Sequence, residues 1–251
     1  MNIQHSISSL TLIGMSFVFF GQDVSAAFQI RVTSGSSSWT VTDNAANDLD
    51  YLTIGSHTDG LISTADVFGW GDLSFTAGIS KPIVGSADNP VMNLSALRLS
   101  TWSPLAKSLK IELTDTDFTG APGGLQPMTL ASSIGGLTAG TVEYQVFADS
   151  NNQPFGKSQP LGSAYQYSNS GGNGPAFHSS WSGSAGVTEP FSITMQAIIR
   201  HAGPGVSAFD AELKAVPEPI SLIAWACLIP VLGLAYYQHC KSQGVKARAI
   251  A

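Results

Sequence analysis

Phe191-Ser192-Ile193-Thr194-Met195-Gln196-Ala197-Ile198-Ile199-Arg200 decides the fold class. In an extended chain successive side chains point to opposite faces, so Phe191, Ile193, Met195, Ala197 and Ile199 share one face. Ser192, Thr194, Gln196 and Arg200 share the other. A helix would scatter the same residues around its circumference. A strand with one dry face needs a second apolar layer to cover it.

The same period recurs outward from this stretch. Phe28, Ile30 and Val32 alternate with Gln29 and Arg31; Leu97 and Leu99 flank Arg98; Leu109, Ile111 and Leu113 flank Lys110 and Glu112. Val142, Tyr144 and Val146 alternate with Glu143 and Gln145, and Phe209, Ala211 and Leu213 with Ala208, Asp210 and Glu212. Turn-forming clusters lie between these runs, among them Gly120 to Gly124, Ser150-Asn151-Asn152 and Gly203-Pro204-Gly205. The pattern predicts an all-β domain over residues 27–215, an antiparallel β-sandwich of about ten strands with a jelly-roll-like path. Asn169 to Ser184 is small and polar and reads as a long surface loop.

Between Ala27 and Val216, eight basic residues face fifteen acidic ones, a net charge of −7, and this argues against a nucleic-acid partner. The two cysteines, Cys227 and Cys240, lie outside that region, so the predicted domain has no thiol for a disulfide, a zinc site or a nucleophile.

The two ends differ from the middle. Leu10 to Phe20 is apolar and is followed by Val24-Ser25-Ala26, small residues suited to cleavage between Ala26 and Ala27. Residues 1–26 therefore read as a secretory signal peptide, too short in their apolar run to span a bilayer comfortably. Ile220 to Tyr237 carries no charge and, at about 1.5 Å per helical residue, is close to the length a transmembrane helix needs. Lys241, Lys246 and Arg248 follow it without an acidic neighbour; such a basic tail stays in the cytoplasm and puts the domain outside.

Val216-Pro217-Glu218-Pro219 stands just before that span. A Pro-Glu-Pro signature (Pro217, Glu218, Pro219), one membrane span and a short basic tail resemble the PEP-CTERM protein-sorting domain, here over residues 216–251. The resemblance implies an exosortase-type processing enzyme as partner, an inner-membrane intermediate, and delivery to the cell surface or an exopolysaccharide matrix. The tail departs from the family pattern, with spaced Lys241, Lys246 and Arg248 in place of a tight arginine cluster. The two prolines resist helix and hold the junction extended, a form that a processing enzyme can grip.

Chemistry within the domain is sparse. Asp115 and Asp117 are one residue apart at the end of a strong strand; if the strand continues they share a face and are candidate Ca²⁺ ligands, although a solvated strand end explains them better. Asp43, Asp48 and Asp50, with Asn44 and Asn47, form a second acidic group of the same kind. No G-x-S-x-G elbow is present, and His57, His178 and His201 have no recognisable partners in the sequence. Trp39, Trp70, Trp102 and Trp181 each sit beside Ser, Gly or Thr; Trp70 and Trp181 are the chosen glycan-contact candidates, against core packing as the ordinary fate of a tryptophan. The expectation is a non-catalytic structural or glycan-contacting protein that needs no cofactor. A secreted carbohydrate-active enzyme and a Ca²⁺-dependent adhesion module are the alternatives.

Overall fold

The computed structural model describes residues 28–48, 60–65, 72–120, 128–169 and 176–216. Ala26, Ala27, Trp70, the Pro217-Glu218-Pro219 motif, the 220–237 span and the basic tail with Lys241, Lys246 and Arg248 lie outside them. Among the described residues no helix is long and apolar enough to cross a membrane.

The described chain is all strand and turn: β1 (Gln29–Ser34), β2 (Ser37–Thr42), β3 (Leu61–Ala65), β4 (Asp72–Ile79), β5 (Val91–Thr101), β6 (Lys107–Phe118), β7 (Met128–Thr138), β8 (Thr141–Asp149), β9 (Gln159–Ser168), β10 (Ala176–Ala185), β11 (Phe191–His201) and β12 (Gly205–Ala215). They form two six-stranded sheets, β2-β1-β6-β11-β8-β9 and β10-β7-β12-β5-β4-β3, antiparallel at every pairing. From β5 onward the chain changes sheets at nearly every connection, so neighbours in sequence face each other across the core.

The alternation read from the sequence is the alternation of burial. Phe191, Ile193, Met195, Ala197 and Ile199 of β11 are all buried, as are Leu109, Ile111 and Leu113 of β6 and Val142, Tyr144 and Val146 of β8. Met92, Leu94 and Ala96 of β5, Leu130 and Ile134 of β7, and Phe209, Ala211 and Leu213 of β12 cover them from the other sheet. Each fully buried aliphatic or aromatic side chain contributes about 1.5–3 kcal/mol, so these inner faces dominate the stability of the fold. Tyr144 is buried among them, and its hydroxyl lies 2.8 Å from Ser132 Oγ, which itself donates to the Glu212 carbonyl. Burial pushes the Tyr144 phenol far above its ordinary value and keeps it protonated.

One expectation is corrected. Residues 176–185 are not loop: they form β10, paired with β7 from Ala176↔Leu137 to Ala185↔Met128. Phe177, Trp181 and Ala185 are spaced four apart, with Ser179 and Gly183 at the inward positions between them, and these small residues hide the period of two. The strands also number twelve among the described residues, where about ten were expected.

The register gives the sandwich two distinct ends. Thr101 pairs with Gly205 and Val91 with Lys214, while Gln29 pairs with Thr114 and Ser34 with Leu109. The described chain therefore begins at Phe28 and leaves at Val216 on the same end, the terminal end, together with the 80–90, 118–120 and 150–158 connections. The 102–106, 139–140 and 202–204 connections form the far end. An eleven-residue strand such as β12 separates the two by about 35 Å.

Candidate functional site at the far end

The sequence of the β5–β6 connection, Trp102-Ser103-Pro104-Leu105-Ala106, cannot continue the sheet, because proline has no donor to offer a ladder. It turns outward instead, held by Ser103 N donating to Thr101 Oγ1 at 3.2 Å and Leu105 N donating to Ser103 Oγ at 3.2 Å. Trp102 is left 69% exposed and Leu105 74% exposed, with Leu137 and Val206 also open to solvent nearby. Several large apolar groups thus stand in the open at this end of the sandwich.

Beside them is a cleft of about 650 Å³, whose polar lining includes Lys107, Ser108, Thr141, Ser168 and Arg200. Ala139 and Pro204 line both this cleft and a smaller hollow of about 220 Å³ that Trp102 and Val206 border, so the indole stands at a hollow adjoining the cleft. A relay of side chains stiffens its floor: His201 Nε2 lies 2.8 Å from Ser207 Oγ, Ser207 Oγ lies 2.7 Å from Thr138 Oγ1, and Gly140 N donates to Thr138 Oγ1 at 3.0 Å. Burial pushes His201 below its ordinary value, so the ring is neutral at pH 7. Arg200 donates to Glu143 at 2.9 Å, and no Asp or Glu lines the cleft itself among the described residues.

Of the residues favoured on sequence grounds, Trp181, Asp115 and Asp117 lie elsewhere, and Trp70 is outside the described residues. Trp181 sits on β10, half-buried against the core at the edge where β9 and β10 meet. Its indole lies across Gly162 of β9, where a Cβ would fall 2.7 Å from the ring; Gly162 also has φ +65°, so two independent constraints select glycine there. The Trp181 Nε1 donor is buried with no hydrogen-bond partner among the described residues. Among the described tryptophans Trp102 is the most exposed, ahead of Trp39 on β2, and the signal that finds it is its place after the alternation stops and immediately before Ser-Pro.

Asp115 and Asp117 do not share a face. The β6 and β11 register slips between Phe191 and Ile193, a bulge that leaves Asp117 with φ +59°. Asp115 turns inward, fully buried, to Lys81 Nζ at 2.9 Å and Ser80 Oγ at 2.6 Å. Asp117 accepts from Asn152 Nδ2 at 2.6 Å while its own N–H donates to Asn152 Oδ1 at 2.9 Å. Asp43 and Asp48 receive the backbone N–H groups of Gly60 and Ser63, and Asp50 lies outside the described residues. Among the described residues no three groups of metal-binding type come together.

One further charged cluster crosses the outer face of the first sheet. Glu112, fully buried, accepts from Arg31 Nε at 2.8 Å and from Lys157, with Lys110 Nζ at 3.2 Å. Burial alone would raise its carboxyl, but the hydrogen bonds from Arg31 and Lys157 outweigh it and hold Glu112 below its ordinary value.

No protein-family model and no curated protein matches this chain. Among solved structures, the enzymatically active domain of tailspike protein 4 of bacteriophage CBA120 covers 74% of this chain at 9% identity with a TM-score of 0.33, and this chain spans only 19% of that one. A xylan-binding domain from Paenibacillus barcinonensis covers 59% of this chain and 92% of its own, at 10% identity and a TM-score of 0.28. A carbohydrate-binding module of the β-sandwich superfamily covers 76% and 84%, at 8% identity and a TM-score of 0.30. None of these overlaps transfers a residue, a ligand or an activity to this chain.

Proposed function

We propose that this chain is an exported, non-catalytic envelope or matrix protein, delivered through its Pro217-Glu218-Pro219 sorting segment, whose β-sandwich contacts polysaccharide with its far end. The observation that carries the reading is the exposed Trp102 indole at the hollow that adjoins the cleft. A pyranose offers an apolar C–H face and a ring of hydroxyls. The indole suits the first, and Ser108, Thr141 and Ser168 suit the second.

The absence of carboxylates from the described cleft lining favours binding over hydrolysis, because a glycosidase needs two carboxyl groups about 5–10 Å apart. Delivery is supported by the sequence of the C-terminal segment and by where the sandwich stops. β12 finishes at Ala215, and Val216 N still donates to Thr129 O at 2.8 Å, so a processing enzyme acting at the motif would release a complete sandwich. With the chain leaving at the terminal end, a membrane attachment there would hold Trp102 outward.

Two measurements test this. Intact-mass and fractionation analysis of the native protein is expected to find it in the envelope or medium, without the residues up to Ala26 and without the segment beyond Pro-Glu-Pro; an unprocessed chain in the cytosol would overturn the delivery reading. Titration with exopolysaccharide from the producing cells is expected to perturb tryptophan fluorescence, and W102A to weaken binding by about tenfold or more, about 1.4 kcal/mol. Equal binding by W102A would remove the far end as the contact site.

A further inference from the structure

We infer that Lys81 and Asp115 are the two halves of an intramolecular isopeptide bond, an amide from Nζ to Cγ that staples the two sheets together at the terminal end. Lys81 follows β4 of the second sheet and Asp115 lies in β6 of the first, so the link would cross the core.

The pair is set apart from the other described ion pairs by its seclusion. The Lys81 and Asp115 side chains are 14% and 0% exposed, whereas those of Arg200 and Glu143 are 49% and 27% exposed. Nζ lies 2.9 Å from Oδ2, and the Phe118 ring centroid lies 4.2 Å from Nζ. The carboxyl is held at both oxygens: Thr116 N–H donates to Oδ1 at 2.8 Å and Ser80 Oγ to Oδ2 at 2.6 Å. The Thr116 carbonyl accepts from Nζ and fixes the direction of the amine. Burial raises the Asp115 carboxyl above its ordinary value against the pull of Lys81, the direction that eases proton transfer onto it. Glu112, also buried and also touching a lysine, is held below its ordinary value and stays an unreactive carboxylate.

The step balances without any other reactant. One proton passes from the Lys81 ammonium to Oδ2, leaving a neutral amine and a carboxylic acid. The Nζ lone pair attacks Cγ, and charge developing on Oδ1 meets the Thr116 N–H, as in an oxyanion hole. A second Nζ proton reaches Oδ2 through the Ser80 hydroxyl, the Cγ–Oδ2 bond breaks and water leaves. Nothing is oxidised or reduced. Such a link gives a domain without cysteine the covalent closure that a disulfide provides elsewhere.

Mass spectrometry of the natively purified protein tests the inference. Once its two ends have been defined by terminal peptides, the isolated chain is expected to weigh one water less than the residues it contains, about 18 Da, and proteolysis to yield a branched peptide joining Lys81 to Asp115. K81R retains a cation but not an amine nucleophile, and it should restore the full mass, as should D115A. A wild-type chain of full mass, or one lacking the water but giving no branched peptide, overturns the proposal. Since the wild-type measurement decides by itself, variants that fail to fold leave the test intact.

Discussion

At the terminal end Lys81, Asp115, Asp117 and Asn152 are tied to one another across connections far apart in sequence, and the 150–158 loop is anchored by Phe155 N donating to Thr114 Oγ1 and Ser192 Oγ donating to Gln153 O. At the far end the Trp102 loop is held by bonds to residues two positions away, and its large side chains stand in water. The same two sheets thus finish in a polar, cross-braced cap and in a tip whose outermost loop is apolar and locally held. The cap surrounds the point where the chain leaves toward its apolar C-terminal segment, and the tip is the end that the proposed function assigns to polysaccharide. Long-range polar bonds resist separation of the sheets, whereas a locally held loop can change without disturbing the core.

The sharpest way to break this contrast is to test the frame under the tip. A Cβ at Gly140 would sit 2.0 Å from the Arg200 backbone oxygen, while one at Gly156 of the terminal end would meet the Asp149 side chain at 2.2 Å. Backbone of a central strand has nowhere to go; a side chain has some room. Gly140→Ala is therefore expected to cost about 3 kcal/mol or more and lower Tm by roughly 6–12 °C, with Gly156→Ala costing about half as much. A larger effect at Gly156 would mean that the cap is the stiffer structure throughout.

A smaller and more selective comparison pairs Asn152→Ala with Trp102→Ala. Asn152 exchanges two hydrogen bonds with Asp117 and holds it at φ +59°, so its loss is expected to cost about 1–2 kcal/mol and to leave glycan binding unchanged. Trp102→Ala is expected to change stability by less than about 0.5 kcal/mol while weakening binding. Thermal unfolding and titration of both proteins check the two readouts together.

These differences also separate what the sequence discloses from what it hides. β11 is legible because Phe191 to Ile199 put a large or buried apolar side chain at every second position, and β6 and β8 follow the same rule. β10 is not, because Ser179 and Gly183 occupy inward positions and only Phe177, Trp181 and Ala185 carry the pattern. Strand order is invisible to periodicity, since every antiparallel neighbour satisfies the same alternation. Asp115 and Asp117 are separated by a bulge that no residue type announces. Trp102 is prominent in the structure for the reason it is inconspicuous in the sequence: it belongs to no alternating run, and the tools of pattern reading favour residues that do.

The least disruptive test leaves the chain unaltered and varies pH. Asp149 feels a raising influence from burial, but the Ser158, Asn151 and Gln153 hydrogen bonds outweigh it and hold the carboxyl below its ordinary 3.8; Glu112 is likewise held below 4.5. Groups of this kind add stability above their unfolded values, and that stability is lost as pH falls through the lower folded values. A free Asp115, raised by burial above 3.8, acts with the opposite sign: its contribution is full below 3.8 and declines as pH climbs through its folded value. Once Asp115 is an amide it no longer titrates. Between acid and neutral pH, wild-type Tm is therefore expected to fall only as pH drops, while K81R, with Asp115 free again, shows an additional decline as pH rises above about 4. Parallel curves for the two proteins would mean that Asp115 is the same titrating group in both.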